Sequence, residues 1–414
     1  MISADVAVLG AGMVGVSTAL HLQARGREVV LIDRHGAAGL ETSYGNAGII
    51  ERASFMPYYF PRDLKKLVLY ALNQLPEANY HVFSLPSIAP WLWRYFLESA
   101  PERAQRHAAS LRPLVERCVI EHEALAETSH AADLLRRTGW IKVYRREETF
   151  AAGAAEAEKL RAFGLNIDIL DEDELAQREP HLYGVRGAVH YLDPVSVDDP
   201  SRLTQAYATL FVERGGQFLT GDARSLQEAP DGRWAVATHD DEVFARDLVV
   251  TLGPWSDVIY RELSYDFPLA VKRGYHMHYA PREGATLGRP IQDADNGYVL
   301  APMTRGVRLT TGAEFAPRDA PPTPAQIERA EPYARQLFPL GERVEAKPWM
   351  GARPCLPDML PIIGPAAKHE RLWFNFGHQH HGLTLGPVSG RLLAEMMTGE
   401  KPFTDPTPYR AERF

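Results

Sequence analysis

Two cysteines in 414 residues, Cys118 and Cys355, are too few for a disulfide scaffold or a cysteine-rich zinc site. No uninterrupted apolar run reaches the roughly 18 residues that a membrane-crossing helix needs. Positive charge is also short: 45 Lys+Arg stand against 53 Asp+Glu, a net charge of −8, whereas a nucleic-acid binder needs a basic face. Serine-hydrolase elbow, Walker A and zinc-protease patterns are all missing, so the chemistry is expected to come from a bound cofactor. The opening MISADVAVLGAG has neither a basic n-region nor a cleavage site. It reads as no signal peptide, and with the sparse cysteines it fits a cytoplasmic location. Internal repeats and low-complexity tracts are lacking as well. What is left is ordinary globular composition, 45% hydrophobic and 24% charged, enough for two or three domains or one large α/β enzyme.

The first fifty residues are more specific. Val6-Ala7-Val8-Leu9 reads as a buried parallel strand, Gly10-Ala11-Gly12-Met13-Val14-Gly15 follows at once, and a helical pattern runs to Gly26. Val29–Ile32 is a second buried strand, ending on Asp33. In this βαβ unit Gly10 permits the tight turn, Gly12 lets backbone approach a pyrophosphate, and Gly15 lets helix and strand pack closely. A carboxylate at Asp33 is placed to hold ribose hydroxyls. The unit predicts dinucleotide binding but does not separate FAD from NAD. The small, polar segment Leu40–Ile50 suits contact with a second, larger part of the cofactor, or is a plain surface loop. Near the other end, Trp373–Phe376 reads as a strand, Gly377 to Gly382 as a turn and Leu383 onward as a helix. That aims a second helix N-terminus at something electron-rich.

Between these ends, residues 57–137 read as helical, broken at Pro76, Pro86, Pro90, Pro101 and Pro113. Strands are expected at 139–144, 216–220, 272–279 and 298–311, with a strand pair over 234–250. Helices are expected at 150–163, 172–178, 201–214 and 325–337.

Taken together, the segments resemble the D-amino-acid oxidase superfamily of FAD enzymes. The resemblance rests on the N-terminal fingerprint, Thr42-Ser43-x-x-Asn46-Ala47-Gly48, Val197-Asp198 with Pro200, and Val249–Ser256. It continues through Gly351-Ala352-Arg353-Pro354 with Asp358 and Pro361–Gly364, and through Gly377-His378-x-x-x-Gly382-Leu383-Thr384, so it spans residues 5 to 397. The branch it resembles most is the bacterial D-amino-acid dehydrogenases, with D-hydroxyproline dehydrogenase-like enzymes, through TSYGNAG and the aromatic insert LPSIAPWLWRYFLES (85–99). GHQHHGLTLGP departs from that branch, which carries smaller residues in the turn, and this leaves the substrate open.

The resemblance implies an α/β fold: a Rossmann-like FAD-binding domain of residues 1–56, 196–266 and 347–414, and a substrate domain of 57–195 and 267–346 on an antiparallel or mixed sheet. The implied cofactor set is Gly10, Gly12, Met13, Val14, Gly15, Asp33, Arg34, Thr42, Ser43, Asn46, Ala47, Gly48, Ile49, Ala223, Gly253, Gly382, Leu383 and Thr384. Arg353 is the implied anchor for a substrate carboxylate, which a guanidinium holds through two parallel hydrogen bonds; its alternative is a structural role on backbone carbonyls. Tyr298 resembles a tyrosine that bonds the same carboxylate, or is a core aromatic. Tyr275 is a further pocket candidate, since strand alternation sends only one of Tyr275 and His276 to the flavin side.

By the same resemblance the His380 carbonyl accepts the substrate amine and the His381 side chain faces the site. His378 is taken as a satisfied structural histidine. No metal is expected from this triplet, because its spacing is cramped and no further ligand stands alongside. Cys355 does not match the position at which sarcosine oxidases attach FAD, so the FAD is expected to be non-covalent. The aromatic cluster at 57–60 and 91–96 is core or pocket wall in the preferred reading. In the other it is a peripheral patch on the inner membrane face that meets a quinone.

The implied reaction takes hydride from Cα of a D-amino acid or cyclic imino acid, such as D-proline or 4-hydroxy-D-proline, to flavin N5. The electron acceptor is quinone or oxygen. A glycine- or sarcosine-type oxidase, or a non-catalytic FAD subunit of a larger complex, are the alternatives.

Overall fold

The computed structural model describes residues 1–56, 58–73, 77–282 and 284–414. Pro57 and Pro76, named above, lie outside the described residues.

Two large sheets organise the chain. The first has eight strands, with Ile2–Leu9 between Val29–Asp33 and Glu242–Val250, all parallel. Gln217–Thr220 extends it on one side, and Leu372–Phe376 joins Glu242–Val250 in parallel on the other. The buried stretches of its central strands, residues 6–9, 29–32 and 248–250, are continuous apolar runs, as parallel sheets covered by helices require. The helices Met13–Gln23 and Gly382–Thr398 pack together on one face. Gly386 and Gly390 allow the close approach, since a Cβ at Gly390 would stand 2.8 Å from the Thr18 amide nitrogen.

The second sheet has eleven strands centred on the long strand Ala270–Pro281. That strand pairs antiparallel with Gly306–Thr310, Ala313–Phe315, Leu340–Arg343 and Trp349–Cys355. The stretch expected as strand over 298–311 is a hairpin of two strands, Tyr298–Met303 and Gly306–Thr310. By hydrogen bonding Trp349–Cys355 belongs to this second sheet, although Ile362–Pro365 and Leu372–Phe376 just beyond it belong to the first. The strand therefore bridges the two halves of the molecule. A small third sheet joins Ile49–Ile50, Val195–Val197 and Leu135–Arg136.

The α/β class expected from the sequence is observed. The expected breaks at Pro90 and Pro113 are not. Pro90 lies inside the helix Leu85–Glu98 and Pro113 inside Pro101–Thr128. One proline removes one link of the helical ladder. Near Pro113 the Tyr409 hydroxyl supplies a donor to the Ser110 carbonyl, and apolar residues of this 28-residue helix are buried along its length. Pro101 and Pro86 sit in first turns, where a missing amide costs nothing. The three-residue strand Ala78–Tyr80, unexpected in a helical stretch, is too short to show a period and is held by pairing with Ala313–Phe315.

Candidate active site

A cavity of about 1370 Å³ runs from the glycine loop of the first sheet to the open face of the second. Small-molecule pockets usually hold roughly 300–1,000 Å³. This one has room for a dinucleotide and a second, smaller molecule.

At the first end the geometry is that of a phosphate cradle. Gly10 has φ +103°, and a Cβ on Gly15 would overlap the Gly10 carbonyl oxygen, so both positions exclude side chains. The first turn of the helix Met13–Gln23 opens into the cavity, and the Met13 amide donates to Ser43 Oγ at 3.0 Å. Asp33 accepts from the Ala11 amide at 2.7 Å and from the His35 amide at 2.9 Å, which locks the strand end to the glycine loop. Arg34 pairs with Glu41 and lies over the Trp255 ring at 4.2 Å.

The polar loop is pinned from both sides. Thr42 donates to the Ala352 carbonyl at 2.8 Å, Asn46 accepts from the Gly48 amide at 2.9 Å, and Arg308 reaches the Asn46 carbonyl from the second sheet. Of the cofactor residues expected from the sequence, all line the cavity except Gly15, Gly48 and Thr384. Those three stand directly behind it: Thr384 Oγ1 accepts from the Glu51 amide at 3.1 Å and donates to the Ile49 carbonyl at 3.3 Å.

The other end is built from side chains. Arg353 leans across Gly274, where a Cβ would overlap its guanidinium, and donates to the carbonyls of Gly312 at 2.8 Å and Thr311 at 3.2 Å. It lines the cavity, and among the described residues no carboxylate pairs with it. Burial pulls its pKa below the ordinary arginine value. An arginine nonetheless keeps its proton, so the site holds a cation without a protein counter-ion.

Three expectations at this end are corrected. The Tyr298 ring lines the cavity, but its hydroxyl stands 3.5 Å from Arg145 Nη2 beside Asp293, so it is not free to hold a carboxylate. Tyr275 also lines the cavity, but its hydroxyl donates to Glu314 at 2.7 Å and accepts from the Thr323 amide at 2.9 Å, so it too is occupied within the protein. Alternation sends His276 to the opposite face, stacked on Trp349 at 4.8 Å. Thirdly, His380 and not His381 presents its ring to the cavity. Gln379 takes a left-handed φ of +56° and His381 caps the helix Gly382–Thr398, which rotates the His381 ring into the protein. Among the described residues neither His381 ring nitrogen has a hydrogen-bond partner, and burial lowers its pKa to about 4. Burial, reinforced by His381, Arg353 and Lys272, also holds His380 well below the usual histidine value. Burial thus favours the neutral form of both rings. His378 bonds Ser389 Oγ at 3.0 Å, a structural contact.

Glu51, Gln292 and Lys272 went unnoticed as site residues in the sequence, and Tyr58 was read only as part of an aromatic core or pocket wall; all four line the cavity. Tyr58 opens into the cavity, with its ring 5.0 Å from the His380 ring and its hydroxyl on Gln292. Glu51 lines the cavity beside the polar loop and accepts from Trp140 Nε1 at 3.2 Å; burial raises its pKa to about 7. Lys272 is the fourth. Alternation against the buried Arg273–Glu314 ion pair would have flagged it, since one of two adjacent cations must face the other way. Glu51 had a weaker signal, an acid directly after the apolar Ile49-Ile50.

The aromatic insert behaves as a wall in the main: Tyr58, Tyr59, Phe60, Leu92 and Tyr95 line the cavity and Trp91 is buried. Phe83 and Trp93 point outward, 99% and 61% exposed. Among the described residues no helix is long and apolar enough to cross a membrane.

A glycine-loop cradle feeding a cavity that a second, mostly antiparallel sheet closes is the arrangement of a dinucleotide-dependent oxidoreductase. The chain belongs to the FAD dependent oxidoreductase family, whose sequence profile matches residues 5–396, and FAD is its cofactor. It is 30% identical to a D-amino-acid oxidase of Bradyrhizobium diazoefficiens over 99% of this chain and 98% of that protein. It is 31% identical to a D-amino acid dehydrogenase of Paramagnetospirillum magneticum, covering 95% of each. The crystal structure of glycine oxidase from Geobacillus kaustophilus has the same fold, with a TM-score of 0.74 at 20% identity over the full length of both chains.

Proposed function

We propose that this enzyme oxidises the Cα–N bond of a D-amino acid or cyclic imino acid. The observation that carries the reading is Arg353: a cavity-facing guanidinium without a counter-ion among the described residues, on the strand that bridges the two sheets. Two carbonyls fix its plane, and its remaining donors form a fork for the substrate carboxylate. Bound FAD supplies the hydride acceptor. The chain positions and discharges the substrate. Arg353 orients the carboxylate, the turn at His380 receives the amine, and Tyr58 with Gln292 closes the pocket above the neutral His380 ring. Glu51, with a pKa near 7, is placed to take the proton that the substrate ammonium must lose before oxidation.

The FAD is held non-covalently in this proposal. Cys355 lines the cavity, but burial raises its thiol pKa and leaves it a poor nucleophile. The division into an FAD domain of 1–56, 196–266 and 347–414 and a substrate domain of 57–195 and 267–346 is part of the same reading, with the Trp349–Cys355 strand shared. The outward Phe83 and Trp93, together with exposed Leu64, Val68 and Leu72, favour peripheral contact with a membrane surface and a quinone as electron acceptor.

The test is an anaerobic visible spectrum during addition of a D-amino-acid panel that includes D-proline and 4-hydroxy-D-proline. Bleaching of the flavin bands by a D-amino acid and not by its L-enantiomer supports the proposal. Bleaching by glycine or sarcosine alone would replace it with an amine-oxidase reading.

A further inference from the structure

We infer that the substrate carries a second anionic group, a side-chain carboxylate, and that Lys272 holds it. Lys272 and Arg353 are direct cross-strand partners, so both side chains stand on the same face of the second sheet. Like charges placed opposite each other destabilise a sheet. Here both are drawn into one cavity, and among the described residues neither has a carboxylate partner. Lys272 is 8% exposed. Its ammonium makes no hydrogen bond or ion pair among the described residues; it rests against the aromatic faces of Tyr95 at 4.3 Å, Trp91 at 5.1 Å and Phe315 at 5.5 Å, with the un-ionised Cys355 thiol nearby.

The two cations diverge from their shared register position. Arg353 leans over Gly274 toward Thr311 and Gly312, whereas Lys272 leans toward the helix Leu85–Glu98. Divergent heads fit two anionic groups on one ligand better than one carboxylate between them. Burial first, and the neighbouring Arg353, lower the Lys272 pKa, and an anion seated beside it would favour the charged form. The cage of rings gives the ammonium cation–π support but supplies no acceptor, and a carboxylate supplies one. Such a substrate is an acidic amino acid, and the inference rests on the proposed function only for the group that Arg353 holds.

The experiment titrates the FAD-loaded enzyme with two unreactive probes of equal length, glutarate and valerate, following perturbation of the flavin spectrum. The dicarboxylate is expected to bind at least about tenfold more tightly, the scale of one charge-assisted hydrogen bond. In Lys272→Met that ratio falls to about one, while Lys272→Arg keeps a preference, which separates lost charge from lost packing. Arg353→Ala weakens both probes. Equal affinities in the unaltered enzyme, or a preference that survives Lys272→Met, overturn the subsite. Because these probes are not oxidised, a dicarboxylate preference in a protein that no D-amino acid reduces would sink the proposed reaction and leave the subsite standing.

Discussion

The glycine-loop end of the cavity and the Arg353 end are built in opposite ways. At the first, backbone does the holding: amides of a helix start, a loop at positive φ, and side chains such as Asp33 and Ser43 spent on bracing that backbone. At the second, side chains do it, and two of them, Arg353 and Lys272, have no carboxylate partner among the described residues. A backbone cradle tolerates little sequence change and serves one cofactor. A set of unpaired cations is completed only by a ligand, so it reads the substrate.

The contrast predicts different failures. The largest effect is expected at the cradle. Gly15→Val places a side chain on the Gly10 carbonyl, and the purified protein should lack flavin absorbance altogether. A yellow Gly15→Val protein would mean that the cofactor sits elsewhere. At the other end, Gly274→Ala should keep FAD yet displace the Arg353 guanidinium, raising KM by tenfold or more (about 1.4 kcal/mol) in steady-state assays.

Glu51 gives a pH effect between these. Burial raises its pKa from the ordinary glutamate value to about 7. The folded protein therefore keeps the Glu51 proton after the unfolded chain has released its own. Stability contributed by this group falls as pH rises through the usual carboxylate range to about 7. Thermal melts across that window should show a Tm decline that Glu51→Gln removes, and the same substitution should abolish the rise of kcat/KM near pH 7. A pH profile identical to that of the unaltered enzyme would remove Glu51 from proton transfer. The smallest effect belongs to Tyr298→Phe, whose hydroxyl is occupied by Arg145 and Asp293; KM should change less than about threefold, under about 0.7 kcal/mol. Tyr58→Phe, at the cavity itself, should exceed it.

The same contrast explains what the sequence disclosed. Gly10, Gly15 and Asp33 were legible because backbone geometry restricts them to particular residues at particular spacings, and the family resemblance carried Arg353. Tyr58 was legible only as part of an aromatic wall, and Lys272 and Glu51 not at all. They reach the cavity from a loop, a central strand and the end of a two-residue strand, brought together only by the packing of the two sheets. The His380 ring reaches the cavity in place of the His381 ring because a left-handed Gln379 rotates the turn, and neighbouring residue types do not reveal that rotation. Pro90 and Pro113 were overweighted as breakers, since the packing of a long helix outweighs one missing link.

The central claim is that the cavity's far end exists to hold a substrate carboxylate on Arg353. Anaerobic titration of Arg353→Ala with the D-amino acid that bleaches the unaltered enzyme tests it most directly. The account predicts a full flavin spectrum and a half-bleaching concentration raised by about 100-fold or more (roughly 3 kcal/mol). A variant that keeps its flavin and bleaches at the original concentration would contradict it.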